Sequence, residues 1–227
     1  MNNPNIAILL LTYANTPERT DYAVRTVKSL LSHLQYWGKI AWYIADNGSN
    51  ASHMNAIMSI LENRSRRIIG SHSERSTCGV SWNRGLIKCY EHTDYVLVME
   101  DDWQLKEPFD ITPYMQLLQQ NERVGMVRFG TLTLGMTCHI QGFDGRHYLE
   151  IDKHPQYAFS GNPHLRHKRL NEVVGMYNEK IEPSPGDVEI DFDYRFRQQD
   201  IVDIWRPASI DGWGIFNHIG NVQSYDD

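Results

Sequence analysis

Apolar and polar residues alternate along the first hundred positions in blocks of two kinds. Residues 5–13, "NIAILLLTY", form a continuous apolar run, the pattern of a parallel strand buried on both faces. After the turn "ANTPERT", Ala23, Val27, Leu30, Leu31 and Leu34 recur at helical spacing and predict a helix with one apolar stripe. A second strand follows over 39–46, "KIAWYIAD", ending in the turn-rich "DNGSN". Ala56, Ile57, Ile60 and Leu61 predict a second helix, "RRII" (66–69) a short strand, "GVSWNRGLIKCY" (79–90) a third helix and "YVLVM" (95–99) a fourth strand. Strand–helix alternation of this length implies a parallel α/β sheet with right-handed crossovers.

The pattern is less regular afterwards. "MQLLQQ" predicts a helix fragment, 124–130 a strand, and 138–151 two strands around an Asp-Gly turn. Over 186–197, "GDVEIDFDYRFR", Val188, Ile190, Phe192, Tyr194 and Phe196 alternate with polar residues, which is a strand template. No repeat or linker separates the halves, so the expectation is one domain over 1–227.

Composition narrows the class. With 227 residues, 41% hydrophobic and 22% charged, the chain suits a globular protein able to bury a substantial core. Its three cysteines are widely spaced and form no Cys-x-x-Cys pair, which argues against a disulfide framework or zinc knuckle and favours a cytoplasmic location. The run 6–11 is too short to span a membrane. The net charge of −6 supplies no general attraction for nucleic acid. One basic cluster stands out, His164, Arg166, His167, Lys168 and Arg169, read either as a contact for an anionic acceptor or diphosphate or as a solvated helix face.

Candidate chemistry lies where strands end. The apolar run to Met99 stops in three adjacent carboxylates, Glu100, Asp101 and Asp102. Such a cluster repels itself and suits either a solvated turn or a hard-cation site. Thr12, Tyr13 and Asp46 also fall at strand ends, and in open parallel sheets ligands sit at the carboxyl ends of strands.

The ordered set "ILLLTYANTPE", "YIADNGSN", "GVSWNRGL" and "VLVMEDDW", with the weaker "EIDFDYRFRQQ" and "FNHIG", resembles the family 2 glycosyltransferases of GT-A fold. The resemblance implies a nucleotide-sugar-binding half over 1–102 and a smaller, irregular acceptor half over 103–227. It implies that Thr12 and Tyr13 line the nucleotide pocket and that Asp46 accepts hydrogen bonds from a pyrimidine base. The "EDD" triplet stands for the family's Asp-x-Asp signature: Glu100 faces the ribose, Asp101 belongs to the nucleotide site, and Asp102 ligates Mn²⁺ or Mg²⁺, joined by His218. Arg19, Arg75 and Arg84 are candidate partners of the diphosphate, and Asn83 with Gly85 matches the family's Asn-x-Gly beside the nucleotide loop. The same resemblance makes 186–197 the start of a helix and places the base of an inverting transfer at Asp191, with Glu189 as the second choice.

The activity implied is metal-dependent transfer of a sugar from a nucleotide (UDP) sugar to a hydroxyl acceptor: a saccharide, a small molecule or a modified DNA base. No membrane partner is expected. Trp103 and Trp213 are candidates to stack on a sugar ring. Two rivals remain, a nucleotidyltransferase and a catalytically inactive nucleotide-sugar or glycan-binding relative. "TYANTPERT" lacks the Gly-rich loop the first requires.

Overall fold

A computed structural model describes residues 4–132, 136–154, 157–181 and 185–220. The elements, in order, are β1 (Ile6–Thr12), α1 (Pro17–His33), β2 (Leu34–Gln35), β3 (Ile40–Asp46), α2 (Ala51–Asn63), β4 (Arg67–Ser73), α3 (Cys78–Tyr90), β5 (Tyr95–Glu100), β6 (Trp103–Leu105), β7 (Phe109–Asp110), α4 (Thr112–Gln120) and β8 (Val124–Arg128). They continue with β9 (Cys138–Phe143), β10 (Arg146–Ile151), β11 (His164–His167), α5 (Arg169–Val174), α6 (Pro185–Arg197), β12 (Asp203–Pro207) and β13 (Phe216–His218).

Helix α3 begins within a residue of its expected start, whereas α1 begins at Pro17, inside the "ANTPERT" read as a turn. Thr16, Asn50 and Thr77 each turn a side-chain oxygen onto a first-turn N–H of α1, α2 and α3, and Pro17 opens α1. Helix α1 stops at His33, one residue short of the expected Leu34, which leaves to start β2.

One nine-stranded sheet runs through both halves, in the order β4-β3-β1-β5-β11-β8-β12-β10-β9. The first four strands are all parallel. Beyond β5 the sheet is mixed: β11 runs antiparallel to β5 and β8, whereas β12 runs parallel to β8. Because β1 is flanked by β3 and β5, the chain reverses its direction of winding at β1, the place where open sheets bind ligands. Ile8, Leu10, Trp42 and Leu97 pack on one face under α1 and α2, and Leu9, Leu11, Val96 and Val98 on the other under α3 and α6.

Two stretches differ from the local pattern. Residues 185–197 are helical. Val188, Phe192 and Phe196, spaced four apart, are buried against Phe159 and Tyr177, while Ile190 and Tyr194 point to solvent. Alternation of five apolar residues is also satisfied by an i, i+4 stripe with two exposed apolar residues, and tertiary burial chooses between them.

The basic cluster divides between a strand and a helix start: Lys168 precedes helix α5, part exposed and paired with Asp94 at 2.7 Å, and Arg169 opens that helix. His164–His167 is strand β11, inside the sheet. Arg166 is fully buried over the rings of Tyr177 and Phe192 and donates to the Tyr177 hydroxyl at 3.1 Å. Arg169 donates to the carbonyls of Leu118, Asn121 and Val124 at 2.9, 2.8 and 3.2 Å, tying off the end of α4. Of the cluster's side chains, His164 and Arg166 are internal and Arg169 is engaged with backbone carbonyls, whereas Lys168 is part exposed and paired with Asp94.

The two histidines of this strand make acid stability measurable. Burial pushes His164 down to about 3 and His167 down to about 4. A folded-state value below the unfolded one of about 6.5 means that the unfolded chain binds the extra proton as pH falls. The stabilisation is complete above pH 6.5 and is lost on acidification toward the folded values, at about 1.4 kcal/mol per pH unit for each histidine. Asn at 164 keeps a donor for the Asn162 carbonyl, which His164 Nδ1 reaches at 2.7 Å, and removes the titration. The expected result for His164→Asn is an unfolding free energy between pH 6 and 4.5 that declines less steeply than the wild type by about one proton, as read by urea denaturation.

Candidate active site

Backbone register delivers three strand ends to one line. Thr12 lies opposite Asp46, and Leu11 opposite Glu100. The parallel ladder thus places the carboxyl end of β1 between an acid from β3 and the acids that follow β5.

Asp101 faces β1. It is buried, and accepts from Thr12 Oγ1 at 2.6 Å, from Tyr13 N at 3.1 Å and from Arg19 Nη2 at 2.6 Å. Burial pushes Asp101 up to about 7 against the pull of the Arg19 guanidinium. Thr12 also meets His53 Nε2 at 2.7 Å. Thr12 therefore holds the acidic turn in place and is not open to a ligand. His53, fully buried on α2, is a participant that the sequence did not mark, since a lone histidine in a helix carries no signal.

Asp102 is arranged differently. Its Oδ2 receives Arg19 Nη1 at 3.0 Å and lies 3.4 Å from His218 Nε2, while its Oδ1 is buried with no hydrogen-bond partner. Burial raises this carboxyl, but His218 and Arg19 outweigh it and hold it below the ordinary aspartate range. His218 arrives on β13, which pairs with β6 directly after the acidic turn, and Ile219 N donates to Asp102 O at 2.8 Å. Gly220 is required there, because a Cβ would come within 2.3 Å of Asp102 Oδ2. A buried carboxylate oxygen without a donor, beside an imidazole, fits a divalent cation that takes its remaining ligands from a diphosphate and water. Among the described residues, no group of three or more His, Cys, Asp or Glu side chains gathers into a self-sufficient metal cage.

Asp46 is fully buried at the end of β3. It accepts from Ser49 N at 3.0 Å and from the hydroxyls of Ser49 and Ser73. Ser49 and Ser73 are further members of this site that short polar residues in a turn did not reveal. Near them, Arg75 stacks over the Tyr13 ring at 4.4 Å. Gly48, with φ of 88°, lets the two turns touch, since a Cβ would sit 2.9 Å from Arg75 N. Arg84 lies farther out, in an exposed pair with Glu74 at 2.7 Å. Asn83 gives Nδ2 to Tyr177 O and Glu179 Oε1, both at 2.9 Å, and takes Tyr177 N at 2.9 Å, so it fastens the 177–179 segment to α3. Gly85 lets α3 press on the sheet, where a Cβ would meet Leu9 at 2.5 Å.

The two candidate bases on α6 part company. Glu189 points into the site. Its carboxylate accepts from Gly161 N and from the Tyr157 hydroxyl at 3.0 Å. It lies close enough to Glu100 that, after burial and Asp102, it raises that group well above the usual glutamate range. Glu100 itself takes a long hydrogen bond of 3.4 Å from Trp103 Nε1; the Trp103 ring is buried. Burial likewise raises Glu189, against the donors on it and the nearby Arg128 guanidinium. Asp191 sits two positions on, on another side of the helix, with Oδ2 bound by Arg195 Nε at 2.9 Å and Nη2 at 2.8 Å. Asp193 is buried and accepts from Ala158 N at 2.8 Å and Phe159 N at 2.7 Å, pinning the loop that carries Gly161.

The mixed sheet flanked by helices matches the GT-A glycosyltransferase fold, and the chain resembles the glycosyltransferases that share it. Solved structures bear this out. The chain superposes on the crystal structure of S. aureus TarS with a TM-score of 0.60 at 10% identity, covering 89% of this chain and 36% of that one. GalNAc-T7 with UDP, GalNAc and Mn²⁺ gives a TM-score of 0.61 at 11% identity over 94% of this chain and 45% of that one. TarS 1–349 in complex with UDP gives 0.59 at 11% identity over 89% and 60%. The chain thus spans less than two thirds of each of these chains. No family model and no curated protein matches the sequence.

Proposed function

We propose that the protein is a divalent-metal-dependent, inverting glycosyltransferase that moves a sugar from a UDP-sugar to a hydroxyl acceptor. The observation that carries this reading is the pairing, at one sheet edge, of Asp102 with an unpartnered buried oxygen and Glu189 on the facing helix. The UDP carried by solved structures of the same fold supports the choice of donor.

In this reading, Tyr13 and Arg75 flank the nucleotide and Asp46 directs its turn toward the pyrimidine. Asp102 and His218 hold Mn²⁺ or Mg²⁺, which when bound neutralises the diphosphate and favours its departure. Arg19 keeps Asp101 and Asp102 in place. Glu189 takes the proton of the acceptor hydroxyl while that oxygen bonds to the anomeric carbon and the carbon–oxygen bond to the diphosphate breaks. Partly buried and raised, Glu189 holds a proton more strongly than an ordinary carboxylate, which suits a base near neutral pH. Tyr157 and the Gly161 N–H keep its orientation. The preference for Asp191 drawn from the sequence motif is thereby reversed: its carboxylate is bound to Arg195.

Calorimetric titration of UDP with and without Mn²⁺, followed by turnover of UDP-sugars, tests the whole proposal. Absence of UDP binding at any metal concentration would end it. A finer test concerns Asp46. Removing its carboxylate leaves three donors unanswered, so Asp46→Ala is expected to lower stability by about 1–3 kcal/mol. Asp46→Asn keeps one acceptor oxygen and the shape. The expected result is a stable variant that loses its preference for UDP over purine diphosphates, as measured by competition. An unchanged preference would confine Asp46 to holding the turn.

A further inference from the structure

The loop 208–215 joins β12 to β13 at the same sheet edge as the acidic turn and ends in the strand that carries His218. It is firmly built. Arg206, 1% exposed, donates Nη1 to Ile210 O at 2.7 Å and Nη2 to Asp211 O from beneath. Asp211 then accepts Trp213 N at 2.9 Å on its side chain and Gly214 N at 3.0 Å on its carbonyl. Lys106 Nζ donates to Gly214 O at 2.8 Å, and Gly214, at φ 78°, packs so tightly that a Cβ would lie 2.5 Å from Phe129 O.

The backbone on both sides of Trp213 is thus fixed, yet its indole is 75% exposed. An exposed aromatic of this size forgoes burial worth about 25 cal/mol per Å². Trp37 is exposed too, but it precedes β3 and lies at the opposite, amino edge of the sheet. Trp213 is tied to the catalytic helix through few steps. Its carbonyl meets Thr131 Oγ1 at 3.5 Å, and the Thr131 carbonyl accepts Arg128 Nη2 at 3.1 Å and Asn162 Nδ2 at 3.5 Å. Gly161, the neighbour of Asn162, donates to Glu189.

We propose that Trp213 is the stacking platform for a pyranose ring of the acceptor, so that the acceptor is a saccharide. This rests on the glycosyltransferase reading above. The C–H groups of a pyranose face carry slight positive charge and match the negative face of an indole. An uncharged ring also suits the surroundings, because the Arg166 guanidinium of β11 is internal and the Lys168 ammonium beyond it is already paired with Asp94.

The test titrates the intact protein, saturated with UDP and Mn²⁺, with neutral tetrasaccharides of glucose, galactose and N-acetylglucosamine. Tryptophan emission and calorimetry are both followed. The chain has six tryptophans, so the Trp213 signal is read as the difference between wild type and Trp213→Leu. The expected result is a saturable emission change with at least one saccharide. That change is missing in Trp213→Leu, affinity in the variant falls about tenfold, and Trp213→Tyr restores most of it. UDP affinity is the same in all three proteins. No response to any saccharide, or the same response in Trp213→Leu, overturns the proposal. So does a concentration-dependent dimer that Trp213→Leu abolishes, which would assign the indole to self-association. UDP binding is scored separately: its failure removes the donor reading, whereas intact UDP binding with a Trp213-insensitive saccharide response removes only the platform.

Discussion

Replacing Glu189 by Gln is expected to lower sugar transfer by about 10²–10⁴-fold while leaving UDP affinity unchanged. Gln keeps the side-chain length and can still accept from Gly161 N and the Tyr157 hydroxyl, the two donors that orient Glu189. It cannot take a proton. The loss therefore falls on the turnover number and not on donor binding, which the proposed function assigns to the ends of β1, β3 and β5. The comparison is Asp191→Asn. Asp191 is part exposed and bound to Arg195 four residues on, a pair worth about 0.3–0.5 kcal/mol on a helix surface, so that variant is expected to turn over nearly as the wild type does. Single-turnover kinetics of both variants with one accepted acceptor decide the matter. The reverse pattern would return the role to Asp191, and near-native turnover in both would place the base outside α6.

The second large effect concerns Asp102. Asp102→Asn is expected to weaken Mn²⁺-dependent UDP binding by more than about 100-fold, since losing even an indirect partner of a metal typically costs 10–100-fold. Asn preserves the volume beside Gly220 and leaves Arg19 its contact with Asp101, so the fold should persist. Removing the charge takes away the anionic oxygen that His218 accompanies. Calorimetry with and without Mn²⁺ separates the outcomes. If the metal dependence of UDP binding is the same in variant and wild type, Asp102 is not the ligand. The same titration on His218→Ala should show a smaller loss of the same kind.

What could be read from the sequence alone is set by local physics. The runs at Ile6–Thr12, Ile40–Asp46 and Tyr95–Glu100 are apolar throughout because both sheet faces are covered, and helices α1, α2 and α3 announce themselves by stripe and cap. Acids at strand ends stand out because charge there contradicts the apolar run before it. Those signals were enough to place Asp46 and the Glu100–Asp102 turn on one edge. Tertiary structure decided the rest. Whether Val188–Phe196 is strand or helix depends on what buries it, and of its apolar residues α6 buries Val188, Phe192 and Phe196, four apart, and exposes Ile190 and Tyr194. Whether Arg166 and Arg169 face solvent depends on β11 entering the sheet between β5 and β8, a long-range pairing with no local mark. The choice between Glu189 and Asp191 rests on two residues' rotation about a helix axis, which matters only once Gly161 and Glu100 are beside it. Chain pattern reports how a residue meets its neighbours in sequence; which acid meets another across the sheet is set by packing of segments far apart in the chain.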